Sequence, residues 1–250
     1  MTLPRAAAEA LAAALFALAS AQAVAGPLAF VTNQGPDTVS VLDLDAGKTL
    51  ATIPVGKDPA GVTRDRSGRA IFVTNASNRS VSVIDVANLR EKARIQTGEN
   101  PLAIAADPVR DRVYVGDFYE QRVEAFDSRS GARLAEYATG QTPAGFSVTP
   151  GGAQVLLANR DDDALQSNDV SEVDLGARRE LRRIAVGEAP YASVLDEGRG
   201  LLFVTNQQAG TVSVVDLAQG RALTQLTVGD YPEGIAYSRR RDRVYVASWF

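Results

Sequence analysis

One short pattern recurs through this chain at nearly constant spacing. An aromatic or aliphatic residue, then valine or leucine, a small residue and a polar residue occur together six times. The copies begin at Phe30, Phe72, Tyr114, Leu156, Phe203 and Tyr245. Subtraction of these numbers gives spacings of 42, 42, 42, 47 and 42 residues. Such a period indicates one supersecondary unit stacked against copies of itself.

Each repeat contains four short runs of the kind that form strands. Residues 80–83 alternate serine with valine, which is the period of a β-strand. Every unit also carries an aspartate, a glycine and, three residues after the glycine, a proline, as at Asp85, Gly98 and Pro101. The aspartate is expected to end the third strand by accepting backbone N–H groups in a turn. We predict an all-β fold for residues 26–250, a β-propeller of four-stranded blades of about 42 residues.

About five repeats are present, and they do not complete a ring in a simple way. If each blade starts after the proline, the propeller opens with strands two to four and ends with strands one and two. A seven-bladed ring would need about 7 × 42 = 294 residues, whereas residues 27–250 number 224. We therefore expect a C-terminally incomplete seven-bladed ring, and the alternative is a five-bladed ring with a spare strand.

The first 25 residues have the pattern of an export signal. Arg5 precedes an apolar run at residues 10–19, and two A-x-A sites follow. We predict a cleaved signal peptide and a periplasmic or secreted protein, with an uncleaved N-terminal anchor as the alternative. No later apolar stretch is long enough to span a membrane, so no span is expected after leader cleavage.

The composition excludes several classes of site. The chain has no histidine and no cysteine. A Ser/His/Asp triad, an imidazole zinc site, a histidine-ligated haem and a disulfide are therefore impossible. We predict no catalytic residue, no cofactor and no bound metal. Nucleic acid is not an expected partner either, because no aromatic residues interleave the arginines.

The motifs resemble a known repeat family. The sequence from residues 30–33 through Thr38–Asp43 to Pro59, and its copy from residues 203–206 to Pro232, is similar to the YVTN-family β-propeller repeat. Similar proteins include exported propellers associated with pyrroloquinoline quinone-dependent alcohol oxidation, archaeal surface proteins, the d1-haem propeller of nitrite reductase and the heavy chain of methylamine dehydrogenase. The resemblance implies a propeller but does not choose among these functions. A single tryptophan argues against the quinoprotein dehydrogenase itself.

Candidate binding residues cluster on one predicted face. Because antiparallel strands alternate in direction, the turn between strands two and three shares a face with the crossing from strand four to the next blade. We call this the crossing face; by sequence it carries twelve acidic and four basic residues. The predicted ligand or partner residues are Asn33, Asn75, Asp117, Phe118, Tyr119, Asn159, Arg160, Asp161, Asp162, Asp163, Tyr191, Asn206, Tyr231 and Trp249.

These features predict a binding or scaffold protein rather than an enzyme. It would be accessory to a periplasmic quinoprotein-type redox pathway and would dock a protein partner or a small ligand on its acidic face. One alternative is a lactonase-like hydrolase with a divalent cation near Asp161, Asp162 and Asp163, where the fourth repeat has five extra residues. Another is a cell-surface structural repeat. Packing between blades and solvated turns would also account for the aromatic and charged residues.

Overall fold

The computed structural model describes residues 27–139, 143–160 and 168–249. Its strands are short and begin and end with the sequence repeat. Sheets one to three contain β1 (Leu28–Asn33), β2 (Thr38–Asp43), β3 (Lys48–Pro54), β4 (Pro59–Arg64), β5 (Ala70–Asn75), β6 (Ser80–Asp85), β7 (Arg90–Gln96), β8 (Pro101–Ala106), β9 (Arg112–Asp117), β10 (Arg122–Asp127) and β11 (Arg133–Ala138). Sheets four to six contain β12 (Pro143–Val148), β13 (Gln154–Asn159), β14 (Asp169–Asp174), β15 (Arg179–Ala185), β16 (Pro190–Asp196), β17 (Leu201–Asn206), β18 (Thr211–Asp216), β19 (Arg221–Thr227), β20 (Pro232–Ser238) and β21 (Arg243–Ser248). The predicted signal peptide lies outside the described residues.

The predicted four-stranded blades are confirmed. Blades 2 to 5 are four-stranded antiparallel meanders, and each begins with its marker proline. Blade 1 has only β1–β3, and blade 6 has only β20 and β21. The only helical element in the described ranges is a single 3₁₀ turn, Ala76–Asn78. The chain is therefore an all-β propeller-like array.

The first strand of each blade packs against the first strand of the next, so β4, β8, β12, β16 and β20 form an inner layer. In blade 1, where no such strand precedes β1, β1 itself packs against β4. The described strands form no closed ring, and the number of blades in a complete ring stays a prediction.

The core lies between neighbouring blades. Phe72 and Val83 of blade 2 pack with Val113 and Val115 of blade 3, and all four are buried. Burying one such side chain fully contributes about 1.5–3 kcal/mol. Successive side chains of a strand point to opposite faces of its sheet, so a blade can present apolar side chains on both faces. Each of blades 2 to 5 therefore packs against a neighbouring blade on either side.

The recurring threonine joins one blade to the next. The hydroxyls of Thr32, Thr74 and Thr205 donate to the carbonyl oxygens of Ala60, Leu102 and Glu233 at 3.0, 2.9 and 3.3 Å. Blade 3 has Gly116 at this position, and a Cβ there would lie 3.0 Å from the ring of Phe146. The threonine thus links the second strand of one blade to the inner strand of the next, and the glycine makes room for an aromatic ring.

The predicted role of the recurring aspartate is also confirmed. Asp43 Oδ1 accepts the N–H groups of Asp45 and Ala46 at 3.0 and 2.9 Å. Asp127 Oδ1 accepts those of Arg129 and Ser130 at 3.0 and 2.8 Å. The carboxylate therefore satisfies backbone donors in the turn that follows the third strand.

These turns predict a loss of stability in acid. Backbone N–H donors hold the pKa values of Asp85, Asp127 and Asp216 below 3.8, because they favour the ionised carboxylate. In the unfolded chain these donors are lost, so the stabilisation is complete above about pH 5 and disappears as the pH falls through the folded-state values. We expect the urea midpoint to fall between about pH 5 and about pH 2.5. A variant with asparagine at all three positions should lose part of that slope, and an unchanged slope would contradict the assignment.

Candidate functional site

Three of the predicted site asparagines lie inside their blades. The side chain of Asn75 is fully buried at the end of β5. Its Oδ1 accepts the N–H of Gly56 at 3.0 Å, and its Nδ2 donates to Ser80 and Ser82 at 3.1 and 3.0 Å. Asn206 makes the equivalent contacts in blade 5, and Asn159 donates to Asp169 and Ser171 in blade 4.

The equivalent residue of blade 1 is less enclosed. Asn33 is half-buried and donates to Thr38 and Ser40 at 3.1 and 2.9 Å. Each of the four asparagines therefore holds the start of the third strand against the end of the second. Contact of these amides with a ligand stays a prediction.

Blade 3 replaces this amide and hydroxyl pair with two carboxylates. Asp117 stands where the other blades have asparagine, and Glu124 stands where they have serine; both are buried. Glu124 accepts the N–H of Gly98 at 2.8 Å and pairs with Arg133. Asp117 accepts the backbone N–H of Glu120 at 3.2 Å, and its carboxylate raises the pKa of the Glu120 side chain because two carboxylates compete for one proton.

The cavity of the inner layer lies where the strands begin. It has a volume of about 470 Å³ and is lined by residues of every inner strand, with Thr32 and Gln34 of blade 1. Its apolar wall includes Leu102, Ala103 and Phe146. A volume of this size is typical of sites for small organic molecules, roughly 300–1,000 Å³.

Every inner strand has a β-bulge beside this cavity. In each inner strand the register with the second strand shifts immediately after the marker proline. The residue after the proline lies at that shift, and all five such residues line the cavity. They are Ala60, Leu102, Ala144, Tyr191 and Glu233. Bulges re-aim side chains at the rims of barrels and near active sites.

Two of these five residues, Tyr191 and Glu233, have polar side chains. Side chains from a second repeat position contact both of them. This second position follows the last residue of the recurring pattern, which is asparagine in blades 4 and 5 and serine in blade 6. It is occupied by Arg160, Gln207 and Trp249 in blades 4 to 6. Gln207 Nε2 and Trp249 Nε1 donate to the two carboxylate oxygens of Glu233 at 2.5 and 2.7 Å. The guanidinium of Arg160 lies 5.5 Å from the ring centre of Tyr191.

Tyr191 is influenced by both charges of this cluster. Burial raises the pKa of its phenol, the carboxylate of Glu233 raises it further, and Arg160 opposes them. Glu233 and Arg160 therefore shift the pKa of the same phenol in opposite directions. We call Arg160, Tyr191, Gln207, Glu233 and Trp249 the mouth cluster.

The structure thus brings together three predicted site residues, Arg160, Tyr191 and Trp249. The sequence interpretation missed Gln207 and Glu233, although alignment of the repeats at the two positions would have found them. Phe118 occupies the second position in blade 3 but contacts Tyr119 instead, with ring centres 5.4 Å apart, and neither lines the cavity. Tyr231 is half-exposed and accepts the Trp249 N–H through its carbonyl oxygen at 3.3 Å.

Two further expectations concern charge and metal. Asp161, Asp162 and Asp163 lie outside the described residues, so the cation site proposed there stays a prediction. Elsewhere in the described ranges no group of three or more potential ligands could hold a metal ion. One of the twelve acidic residues that the sequence places on the crossing face is Glu172, and this prediction was wrong. Glu172 lies within β14, is buried and pairs with Arg182 at 2.7 Å, because β14 pairs there with β15.

No family model and no curated protein sequence matches the chain. Among solved structures, Kuenenia stuttgartiensis hydrazine synthase has a similar fold, with a TM-score of 0.69 and 20% sequence identity. The match covers 77% of this chain and 56% of that one. At this identity the similarity shows the fold alone. In the described residues there is also no helix with the length and apolar character needed to cross a membrane.

Proposed function

We propose that this protein is an exported binding protein that captures a small ligand at the mouth cluster, with the crossing face available to a protein partner. One observation carries the proposal: the repeat positions that hold alanine or leucine in three blades hold tyrosine and glutamate in the other two. Ala60, Leu102 and Ala144 show that the fold does not require a polar or large residue after the proline.

The site has the composition expected for ligand recognition. Apolar side chains form much of the wall, and a few polar groups converge at one side. Glu233 is half-buried and receives two side-chain hydrogen bonds, which fix the orientation of its carboxylate. A carboxylate held in this way beside aromatic rings costs desolvation free energy that a packing role would not require.

The location and pathway rest on the sequence. The export signal pattern supports a periplasmic or secreted protein, and the resemblance to quinoprotein-associated propellers supports a role accessory to redox enzymes. The acidic residues of the crossing face would orient a basic partner, with an effect that weakens with salt over a Debye length of about 8 Å. Fractionation of the source cells would test the location: we expect the leaderless protein outside the cytoplasm.

The ligand-binding proposal is tested with small molecules extracted from the source cells. The purified protein is exposed to fractions of a metabolite extract, desalted, and measured by native mass spectrometry. Trp249 is the chain's only tryptophan, so its fluorescence reports directly on the mouth cluster. We expect one fraction to yield an adduct and a fluorescence change.

The matched variant gives the mouth the residues of the other blades, Tyr191→Ala with Glu233→Ala, and should lose both signals. Tyr119→Ala, which removes an exposed aromatic ring of the same face, serves as the control and should keep them. The proposal is overturned if no fraction produces an adduct or a fluorescence change.

A further inference from the structure

We propose that the ligand of the mouth cluster is a small organic ammonium ion, an inference that rests on the proposed function. The ammonium would meet the carboxylate of Glu233 between the rings of Tyr191 and Trp249, and its apolar substituents would occupy the cavity. Three properties of the site support this class of ligand: the charge of Glu233, the aromatic faces and the apolar wall.

Glu233 presents negative charge that its described contacts do not neutralise. Its two carboxylate oxygens accept hydrogen bonds from an amide and an indole, both neutral donors. These bonds stabilise and orient the anion without forming an ion pair. A carboxylate retains further acceptor capacity after two such bonds, so a charged N–H donor or a quaternary ammonium can still approach it.

Tyr191 already interacts with a cation within the protein. Arg160 lies over its ring at 5.5 Å, within the distance of about 6 Å at which an aromatic face attracts positive charge. Trp249 donates its indole N–H to the carboxylate of Glu233. Tryptophan gives the strongest cation–π attraction of the aromatic residues. Aromatic side chains of this kind recognise organic ammonium groups in other proteins.

The wall distinguishes an organic cation from a metal ion. Leu102, Ala144 and Phe146 provide apolar surface, and Glu233 is the one carboxylate among the lining residues that the structure describes. A divalent ion needs several oxygen ligands to replace its water, whereas an alkylammonium benefits from burial of its carbon atoms. The site therefore fits an amine or quaternary amine with a modest apolar substituent.

Arg160 provides a sign test. Its positive charge repels a cationic ligand and competes for the ring of Tyr191, so Arg160→Gln should tighten binding of a cation severalfold. Glu233→Gln keeps the shape of the side chain but removes the charge and replaces one acceptor oxygen with an NH2 donor, so it should weaken binding. An anionic ligand would reverse both signs, because it would be attracted to Arg160 and repelled by Glu233.

The experiment compares choline with its uncharged carbon isostere, 3,3-dimethylbutan-1-ol, and with 3,3-dimethylbutanoate as the anion. Binding is followed by Trp249 fluorescence and by calorimetry. We expect choline to bind at least about tenfold more tightly than the isostere, and Glu233→Gln to remove most of that difference. Asp230→Asn, which removes an exposed acid of the same face, should leave it unchanged.

The outcomes separate the two proposals. Tighter binding of the isostere or of the anion, or variant effects of the opposite sign, would overturn the ammonium assignment while the ligand-binding function stands. If neither these probes nor the metabolite fractions bind, both proposals fail. Far-UV circular dichroism and the urea midpoint of each variant establish that a lost signal does not come from unfolding.

Discussion

Replacement of Asn75 by alanine is expected to lower the free energy of unfolding by about 2–4 kcal/mol, because it leaves three buried polar partners without their hydrogen bonds. The Gly56 N–H loses its acceptor, and the hydroxyls of Ser80 and Ser82 lose a donor. Each buried unsatisfied group costs about 1–3 kcal/mol, and hydroxyls that rotate to new partners cost least. Urea unfolding monitored by circular dichroism measures the change.

Asn33→Ala is the matched control for this prediction. Asn33 occupies the same repeat position and contacts the same kinds of hydroxyl, but it is half-buried. In the part of the chain that the structure describes, no glycine N–H donates to its side chain. We expect a loss of less than about 1 kcal/mol, because water can replace the amide. Equal losses at the two positions would show that burial of the Asn75 network does not matter.

The repeat spacing was sufficient to predict the fold. Because residues 42 apart occupy equivalent places, the strand limits, the aspartate turns and the proline starts could all be inferred from local pattern. The burial of Asn75 could not. It depends on the approach of Gly56 from the preceding crossing, where a Cβ would lie 2.5 Å from the Asn75 side chain. That approach is a tertiary contact between segments 19 residues apart.

The site was only partly predictable for a related reason. The sequence predicted Tyr191 and Trp249 as site residues because they are aromatic and lie near the recurring proline and asparagine positions. Glu233 could not be distinguished from an ordinary surface acid. Its direction is set by the bulge after Pro232, where the register with β21 shifts. A bulge interrupts strict alternation, so the period-two rule does not predict the face of a residue at this position. Comparison among repeats of the same chain is what identifies it.

The carboxylates of blade 3 give the second large effect. Glu124 is fully buried, and its partner Arg133 is partly exposed on the neighbouring strand β11. Arg133→Ala should lower the free energy of unfolding by about 2–4 kcal/mol, less than for a fully enclosed pair because solvent reaches the arginine side. Arg129→Ala breaks a surface pair with Asp111 at 2.7 Å and should cost at most about 1 kcal/mol.

The sequence of the other repeats suggests two substitutions that should compensate for Arg133→Ala. Asp117→Asn with Glu124→Ser gives blade 3 the asparagine and serine pair of blade 2. In blade 2 the asparagine accepts the N–H of Gly56, and in the double variant the new asparagine would accept the equivalent N–H of Gly98, which Glu124 accepts in the natural chain. With the Glu124 carboxylate removed, Arg133→Ala should become nearly neutral in this background, because only the surface pair with Glu136 at 3.2 Å is then lost. The difference between the two backgrounds, measured by urea unfolding as a double-mutant cycle, isolates the pairing free energy. If Arg133→Ala costs the same in both, then the arginine stabilises β11 through its other contacts, which include the pair with Glu136, and the charge of Glu124 is not what makes it necessary.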